Sequence, residues 1–369
     1  MVPAALTLAG CASLRPFAEV RREQPSARFV EVDGRQVYVE QQGAGETVVL
    51  LHGFGESSYA WRQVMPELAR SFRVVAPDLN GFGWTERPRD PGSYTLEGQE
   101  RLVLGVLGAL GVARAQFVGH SYGGSLTLFL ASRHADLVRT MVLIDSAAPT
   151  YSEDRRSRVA AIRPLDSLFV RLALTPRHVR RSLLASVYDP ALVTPELIRA
   201  YLERFRVQGE DDAYYGLTAR LRRPAAAGAV SPAAPAAADG GAGRAGGTGG
   251  AIVSARAAGG VELERLTLPT LVVWGAEDRL IRVEAGRQAA RRLPAGEFAT
   301  IPRCGHLPME ERPAELLALM VPFLRRHGEA AGRAGAALSA PHEPPAPLAS
   351  FPAGPATSAA RPSVPRGRD

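Results

Sequence analysis

The stretch QFVGHSYGGSLTLF, Gln116–Phe129, joins an apolar run to a helix-like pattern through a Gly-His-Ser-Tyr-Gly pentapeptide. The run predicts a strand over 116–118, and Gly123 to Arg133 predicts a helix. A serine between two glycines at such a junction occupies a sharp, strained turn. The turn lifts its hydroxyl above the strand end, and the glycines leave room for close backbone approach. The helix that follows aims its N-terminus, the positive end of its dipole, at that hydroxyl. Ser121 is therefore the candidate nucleophile.

A serine hydroxyl attacks poorly near neutral pH unless a base takes its proton and an acid holds the base. Of the seven histidines, His306 in RCGHLPMEE follows the last strand signal and precedes the closing helix. It is the candidate base. His120 abuts the serine, but strand alternation turns its side chain away from it. For the acid, Asp278 in WGAEDRL follows the penultimate strand and gives the chain order Ser, Asp, His. Asp145, ending the strand MVLID, is the competitor, since an acid there could reach the same histidine. A tetrahedral intermediate needs preorganised donors for its oxyanion. The backbone N–H of Tyr122 is one candidate. The other is the N–H of Phe54 in the loop His52-Gly53-Phe54-Gly55, where His52 is expected to bond loop backbone.

Around these residues strand and helix signals alternate. RFVEVDGRQVYVEQQG reads as a hairpin turning at Asp33-Gly34, and TVVLLHGFG as a doubly buried strand ending in a glycine loop. A helix is expected over 57–71, then the strand RVVAP, a helix over 96–110, and strands in RTMVLID, PTLVVWG and GEFATIP. The helix PAELLALMVPFLRRH closes the pattern. Such alternation predicts an α/β fold with a mostly parallel sheet. Residues 28–148 and 267–327 form its two parts, and 149–266 interrupt it. Within the interruption, 224–260 collapse to Ala, Gly and Pro, with Asp239, Arg244 and Arg256 the only charges. That composition cannot bury enough apolar surface to offset its ordering entropy, and disorder is expected there and in the Pro/Ala-rich tail 328–369.

The motifs LHGFGESSYAWRQVMPEL, VVAPDLNGFGWTERP, FVGHSYGG, LVVWGAEDRLI and PRCGHLPMEERPAEL together resemble the α/β-hydrolase superfamily, over about Arg28 to Arg326. The resemblance implies an eight-stranded, mostly parallel sheet flanked by helices, with 149–266 falling where the family places its lid. The Ala/Gly/Pro half of that insertion departs from the family's helical cap. Serine at 121 separates the chain from the family's epoxide hydrolases and haloalkane dehalogenases, which carry aspartate there. The expectation is a serine hydrolase acting on carboxylic esters of small, fairly apolar molecules, with Met309, Phe82, Trp84, Tyr188 and Tyr201 as candidate pocket residues. A hydrolase of carbon–carbon bonds in ring-cleavage products, using the same triad, is the first alternative. A binding protein that has lost turnover is the second.

Composition bounds the partners. The chain has 369 residues, 46% hydrophobic, with a mean hydropathy of -0.05. No run approaches the ~20 apolar residues of a membrane-spanning helix. All 44 basic residues are arginine, and the net charge is +7. The arginines form no basic stripe and do not alternate with aromatics, so nucleic acid is not expected as a partner. No metal-ligand cluster or phosphate-binding glycine loop is apparent, and neither cofactor nor metal is expected. The two cysteines, Cys11 and Cys304, rule out a disulfide framework. Within residues 1–27, Leu8-Ala9-Gly10-Cys11 resembles a bacterial lipoprotein signal, although Val2 to Ala9 is short and no basic residue precedes it. Lipidation of Cys11 would place the protein on the cell envelope by membrane attachment; a chance match would leave it cytoplasmic.

Overall fold

Along the central strands, successive residues enter apolar layers on opposite faces of one sheet. Val49 and Leu51 join one layer, Val48 and Leu50 the other, and the same alternation separates Phe117 from Val118 and Val272 from Val273. A strand buried on both faces needs no polar side, which is why these runs are continuously apolar. The computed structural model describes residues 14–25, 28–146, 175–208 and 261–335.

The strands are β1 (Phe29–Val32), β2 (Arg35–Gln42), β3 (Thr47–Leu51), β4 (Arg73–Pro77), β5 (Ala115–His120), β6 (Val138–Ile144), β7 (Thr270–Gly275) and β8 (Gly296–Ile301). They form one eight-stranded sheet in the order β1-β2-β4-β3-β5-β6-β7-β8. β2 is antiparallel to both β1 and β4, and every other neighbouring pair is parallel. The first hairpin turns at Asp33 and Gly34, both with positive φ (49° and 72°), as a two-residue turn that follows strand twist requires.

The flanking helices are α1 (Phe17–Glu23), α2 (Met65–Leu68), α3 (Leu96–Ala109), α4 (Tyr122–Arg133), α5 (Pro176–Ser186), α6 (Pro195–Phe205), α7 (Val283–Arg292), α8 (Pro308–Glu311) and α9 (Pro313–Gly335). The helix expected over 57–71 is replaced by a 3-10 turn, Ser58–Trp61, and the short α2. Ser58 gives its N–H to Asp78 at 2.6 Å, which holds the segment's start against the β4 loop, and Pro66 restarts the helix. The closing helix α9 runs through Gly335, past residue 328, where the tail was expected to begin. The chain divides into a unit Met1–Ala330 and a second unit from Ala331, of which the last turn of α9 is described.

Between β6 and β7, α5 and α6 bury Val179, Leu183, Leu197, Ile198, Tyr201 and Leu202 in the second apolar layer. Each helix starts with a threonine, Thr175 or Thr194, whose hydroxyl accepts a backbone N–H from the first turn, followed by proline. The Ala/Gly/Pro segment 224–260, Cys11, and the tail beyond 335 lie outside the described residues. Among the described residues no helix is long and apolar enough to cross a membrane.

The functional loops all leave the C-terminal ends of parallel strands, where open α/β sheets bind ligands. Close packing there depends on glycine. A Cβ on Gly123 would strike the carbonyl groups of Leu51 and His52, and one on Gly119 would strike the Gly123 carbonyl and Thr127. Gly123→Ala is therefore expected to lower stability by about 1–3 kcal/mol, as overpacking does. A lower urea midpoint would show this, and an unchanged midpoint would contradict the packing argument.

Candidate active site

Ser121 stands between the end of β5 and the start of α4 with φ 48° and ψ −112°, a backbone that L-residues rarely adopt. Its N–H donates to the Ile144 carbonyl at 2.9 Å, fastening the turn to β6. Gly124 and Ser125 return their N–H groups to the Ser121 carbonyl at 3.0 and 3.2 Å. The side chain is half-buried.

His306 and Asp278 meet where the loops after β7 and β8 leave the same end of the sheet. His306 Nδ1 lies 2.7 Å from Asp278 Oδ2, and both side chains are buried. The carboxylate accepts the Nδ1 proton, which leaves Nε2 as the basic nitrogen. Asp278 Oδ1 accepts the N–H groups of Leu280 and Ile281 at 2.7 and 3.1 Å, so the carboxylate is held from both ends. The loop bearing His306 is fixed by the insertion between β6 and β7. The His306 N–H donates to Ser186 at the end of α5 (2.6 Å), and Glu311 accepts from both Gly305 (2.8 Å) and Tyr188 (2.6 Å). Among the described residues no hydrogen bond joins Ser121 Oγ to His306; catalytic contacts of this kind often close only with substrate in place.

Asp145, the competing acid, ends β6 with φ 41° and is fully buried. One of its oxygens accepts the Gly275 N–H at 2.9 Å, and the other has no hydrogen-bond partner among the described residues. Burial, then the neighbouring Asp278 charge, push its pKa well above the ordinary aspartate value. Asp145, Asp278 and His306 bring ligand-type atoms within 4.8 Å of one another. Asp278 commits both oxygens to N–H donors, so the cluster is a hydrogen-bond system in which a cation would displace the histidine.

Phe54, in the loop after β3, packs edge-on against Phe82 with ring centroids 5.4 Å apart. His52 accepts the Leu79 N–H on Nε2 at 3.0 Å, which puts its proton on Nδ1 to meet the Gly53 carbonyl at 2.9 Å. Burial lowers its pKa, keeping the ring neutral in this role. Cys304 is a buried thiol whose pKa burial pushes up, consistent with a packing role. A shallow cleft beside the loop is lined by Gly55, Glu56, Ser57, Gly83, Tyr201, Arg204 and Phe205. Of the five expected pocket residues, Tyr201 lines it; Met309 and Phe82 are packed in the core, Trp84 packs edge-on against Tyr38, and Tyr188 is exposed.

Sequence reasoning missed two residues. His120 does not point away from the site: its ring lies 4.9 Å from that of His306 and its Nε2 reaches the His306 carbonyl at 2.7 Å. Glu56, at 3.1 Å from His120 Nδ1, lies within the LHGFGESS motif but was given no role.

The sequence profile of the alpha/beta hydrolase fold matches residues 46–313, most of the chain. The chain belongs to the α/β-hydrolase family. Its relatives are hydrolases. This α/β hydrolase is 28% identical over 303 residues to the uncharacterized hydrolase YugF of Bacillus subtilis, covering 82% of this chain and 98% of that one. It is 29% identical over 309 residues to a 2-hydroxymuconate semialdehyde hydrolase of Pseudomonas sp. strain CF600, covering 82% and 95%. Among solved structures, a meta-cleavage product hydrolase of Pseudomonas fluorescens IP01 shares the fold with a TM-score of 0.61 at 24% identity, over 81% of this chain and 97% of that chain.

The two acids are separable by amide substitution. Asp278→Asn is expected to cost about 10⁴ in kcat, because an amide favours the wrong histidine tautomer. Asp145→Asn, which replaces a carboxyl that burial drives toward its neutral form, is expected to keep activity within about tenfold. Comparable losses in the two variants would contradict this ranking. Asp145 also makes a stability prediction. Burial holds its proton to higher pH in the folded protein than in the unfolded chain, so wild-type stability falls as pH rises above the ordinary value of about 3.9. The Asn variant has no such proton, and its Tm advantage should widen as pH rises above about 4. A Tm difference that did not grow as pH rose would contradict the upward shift.

Proposed function

We propose that the protein is a serine hydrolase that cleaves carboxylic esters of small, fairly apolar molecules through an acyl-enzyme on Ser121. Ser121 Oγ attacks the carbonyl carbon and His306 Nε2 takes its proton. Asp278 stabilises the imidazolium, and the N–H groups of Phe54 and Tyr122 hold the oxyanion. His306 then protonates the leaving alcohol. A water, deprotonated by the same nitrogen, releases the acid and restores Ser121.

The observation that carries this reading is the buried 2.7 Å contact between His306 and Asp278, at the sheet edge where Ser121 stands in its strained turn. A histidine held by a carboxylate on Nδ1 is a base aimed through Nε2, and a hydroxyl lifted by a left-handed turn is what such a base serves. No step requires a cofactor.

A second reading has specific support: the 29% identical relative is a 2-hydroxymuconate semialdehyde hydrolase. Hydrolysis of a carbon–carbon bond in a ring-cleavage product would use the same three side chains, with a carbon leaving group in place of the alcohol. We also infer from Leu8-Ala9-Gly10-Cys11 that the chain is lipidated at Cys11 and held at the cell envelope. Mass spectrometry of the mature N-terminus checks this: a diacylglyceryl-modified Cys11 is expected, and an intact Met1 would contradict it.

The functional test is a panel of short p-nitrophenyl esters beside coloured ring-fission dienones, assayed with wild type and Ser121→Ala. Ester turnover is expected, with Ser121→Ala reducing kcat by about 10⁴ or more. Turnover of dienones alone would select the second reading, and undiminished activity of Ser121→Ala would overturn both.

A further inference from the structure

The mechanism leaves one buried charged pair unused. Glu56 and His120 lie wholly inside the protein, with side-chain exposures of 6% and 1%. They belong to different elements: Glu56 follows the glycine loop after β3, and His120 is the last residue of β5, immediately before Ser121. A single carboxylate oxygen of Glu56, Oε2, accepts the Gly53 N–H at 2.8 Å and meets His120 Nδ1 at 3.1 Å. On the far side of the ring, His120 Nε2 lies 2.7 Å from the backbone carbonyl of His306. The space is closed, since a Cβ on Gly53 would come within 2.7 Å of His120 Nδ1 and 3.1 Å of Glu56.

The hydrogen-bond roles follow from the acceptors. A carbonyl oxygen only accepts, so His120 Nε2 carries a proton. Glu56 Oε2 already accepts from Gly53, and its shared contact with Nδ1 is best made to a second ring N–H. The pair is then a carboxylate and an imidazolium. The directions of the shifts agree: burial opposes both charges, but mutual attraction outweighs it, lowering Glu56 and raising His120. The continuous path runs from the Gly53 backbone through Glu56 and His120, the residue before Ser121, to the His306 backbone.

We propose that Glu56 and His120 are positioning residues, forming one internal brace that fixes the distance between the oxyanion loop at Gly53-Phe54 and the loop carrying His306. The inference rests on the serine-hydrolase reading of the site. The brace touches neither substrate nor reacting atoms. It sets where the oxyanion donor and the base stand relative to Ser121, which matters chiefly when the tetrahedral intermediate forms. A misplacement of about 1 Å in such a group can cost on the order of 10² in rate.

The variants Glu56→Gln and His120→Asn, and their combination, test this in the full chain. An amide at position 56 can place an oxygen or a nitrogen where Oε2 stands. The oxygen leaves His120 as a buried cation without its counter-charge, and the nitrogen opposes the Gly53 N–H. Each single variant is expected to lower kcat by about 10- to 100-fold with KM changed by less than about threefold. Affinity for a trifluoromethyl ketone analogue of the ester should fall in step with kcat, whereas affinity for the product acid should not. The double variant should lose no more than the worse single one, since both remove the same brace. Rates are taken per site titrated with a fluorophosphonate, so that only folded molecules are counted. Wild-type kcat in either single variant, losses that multiply in the double variant, or an effect confined to KM would overturn the proposal. Should the variants fail to fold, wild-type protein still decides by its imidazole proton spectrum. A resolved, slowly exchanging Nε2–H of His120 is expected, and a freely exchanging one overturns the brace. Ser121→Ala, assayed alongside, separates the two readings: its inactivity with intact Glu56→Gln sinks the brace alone.

Discussion

Everything at this site hangs on how closely the backbone after β5 approaches its neighbours. Parallel strands lie about 4.8 Å apart, so a residue lifted above the end of one strand must turn within the space its neighbours leave. Ser121 does so at φ 48°, a conformation that costs on the order of 1–3 kcal/mol. The turn is tolerated because Gly119 and Gly123 carry no Cβ to meet carbonyl oxygens, and because the Ser121 N–H is held by β6. The cost is met by a sheet buried on both faces, where Val48 to Leu51, Phe117, Val118 and Val142 are almost wholly inaccessible. Rigid strands beneath and a strained turn above are two sides of one arrangement.

The second dependency joins the base to the insertion. His306 is carried by a loop after β8, and loops alone place side chains loosely. Here the loop is sewn to the end of α5 through the Ser186 carbonyl and to Tyr188 through Glu311. Glu310 adds a bidentate pairing with Arg62 and a bond from Tyr201 of α6 at 3.1 Å. The helices that cover the sheet edge therefore also hold the histidine. Changes in α5 or α6 would be felt in the geometry of the base as well as in the pocket.

Much of the fold was legible because burial on both faces writes itself into sequence as uninterrupted apolar runs such as TVVLL and MVLI. The elbow was legible because few residues other than glycine fit at 119 and 123. Chain order alone ranked Asp278 over Asp145. The structure adds the physical distinction: Asp278 has N–H donors on one oxygen and His306 on the other, while Asp145 faces the Gly275 N–H and is driven toward its neutral form. His120 was misread because alternation along a strand predicts the face a side chain leaves from, not which loop folds back to meet it. Glu56 was overlooked inside the glycine-loop motif, since its partner His120 lies far along the chain and no spacing rule joins positions 56 and 120. The break in the helix over 57–71 was equally hidden, because Asp78, which holds Ser58, arrives from the far end of β4.

The central claim is that the hydroxyl at 121 is made nucleophilic by the imidazole at 306. Incubation with a fluorophosphonate, followed by peptide mass mapping, tests it most directly, because covalent capture reports the activated oxygen whatever the natural substrate is. The account predicts a single phosphonyl adduct on the peptide containing Ser121, with labelling slowed by orders of magnitude in His306→Asn. An adduct on a different residue, or equal labelling rates with and without His306, would contradict it.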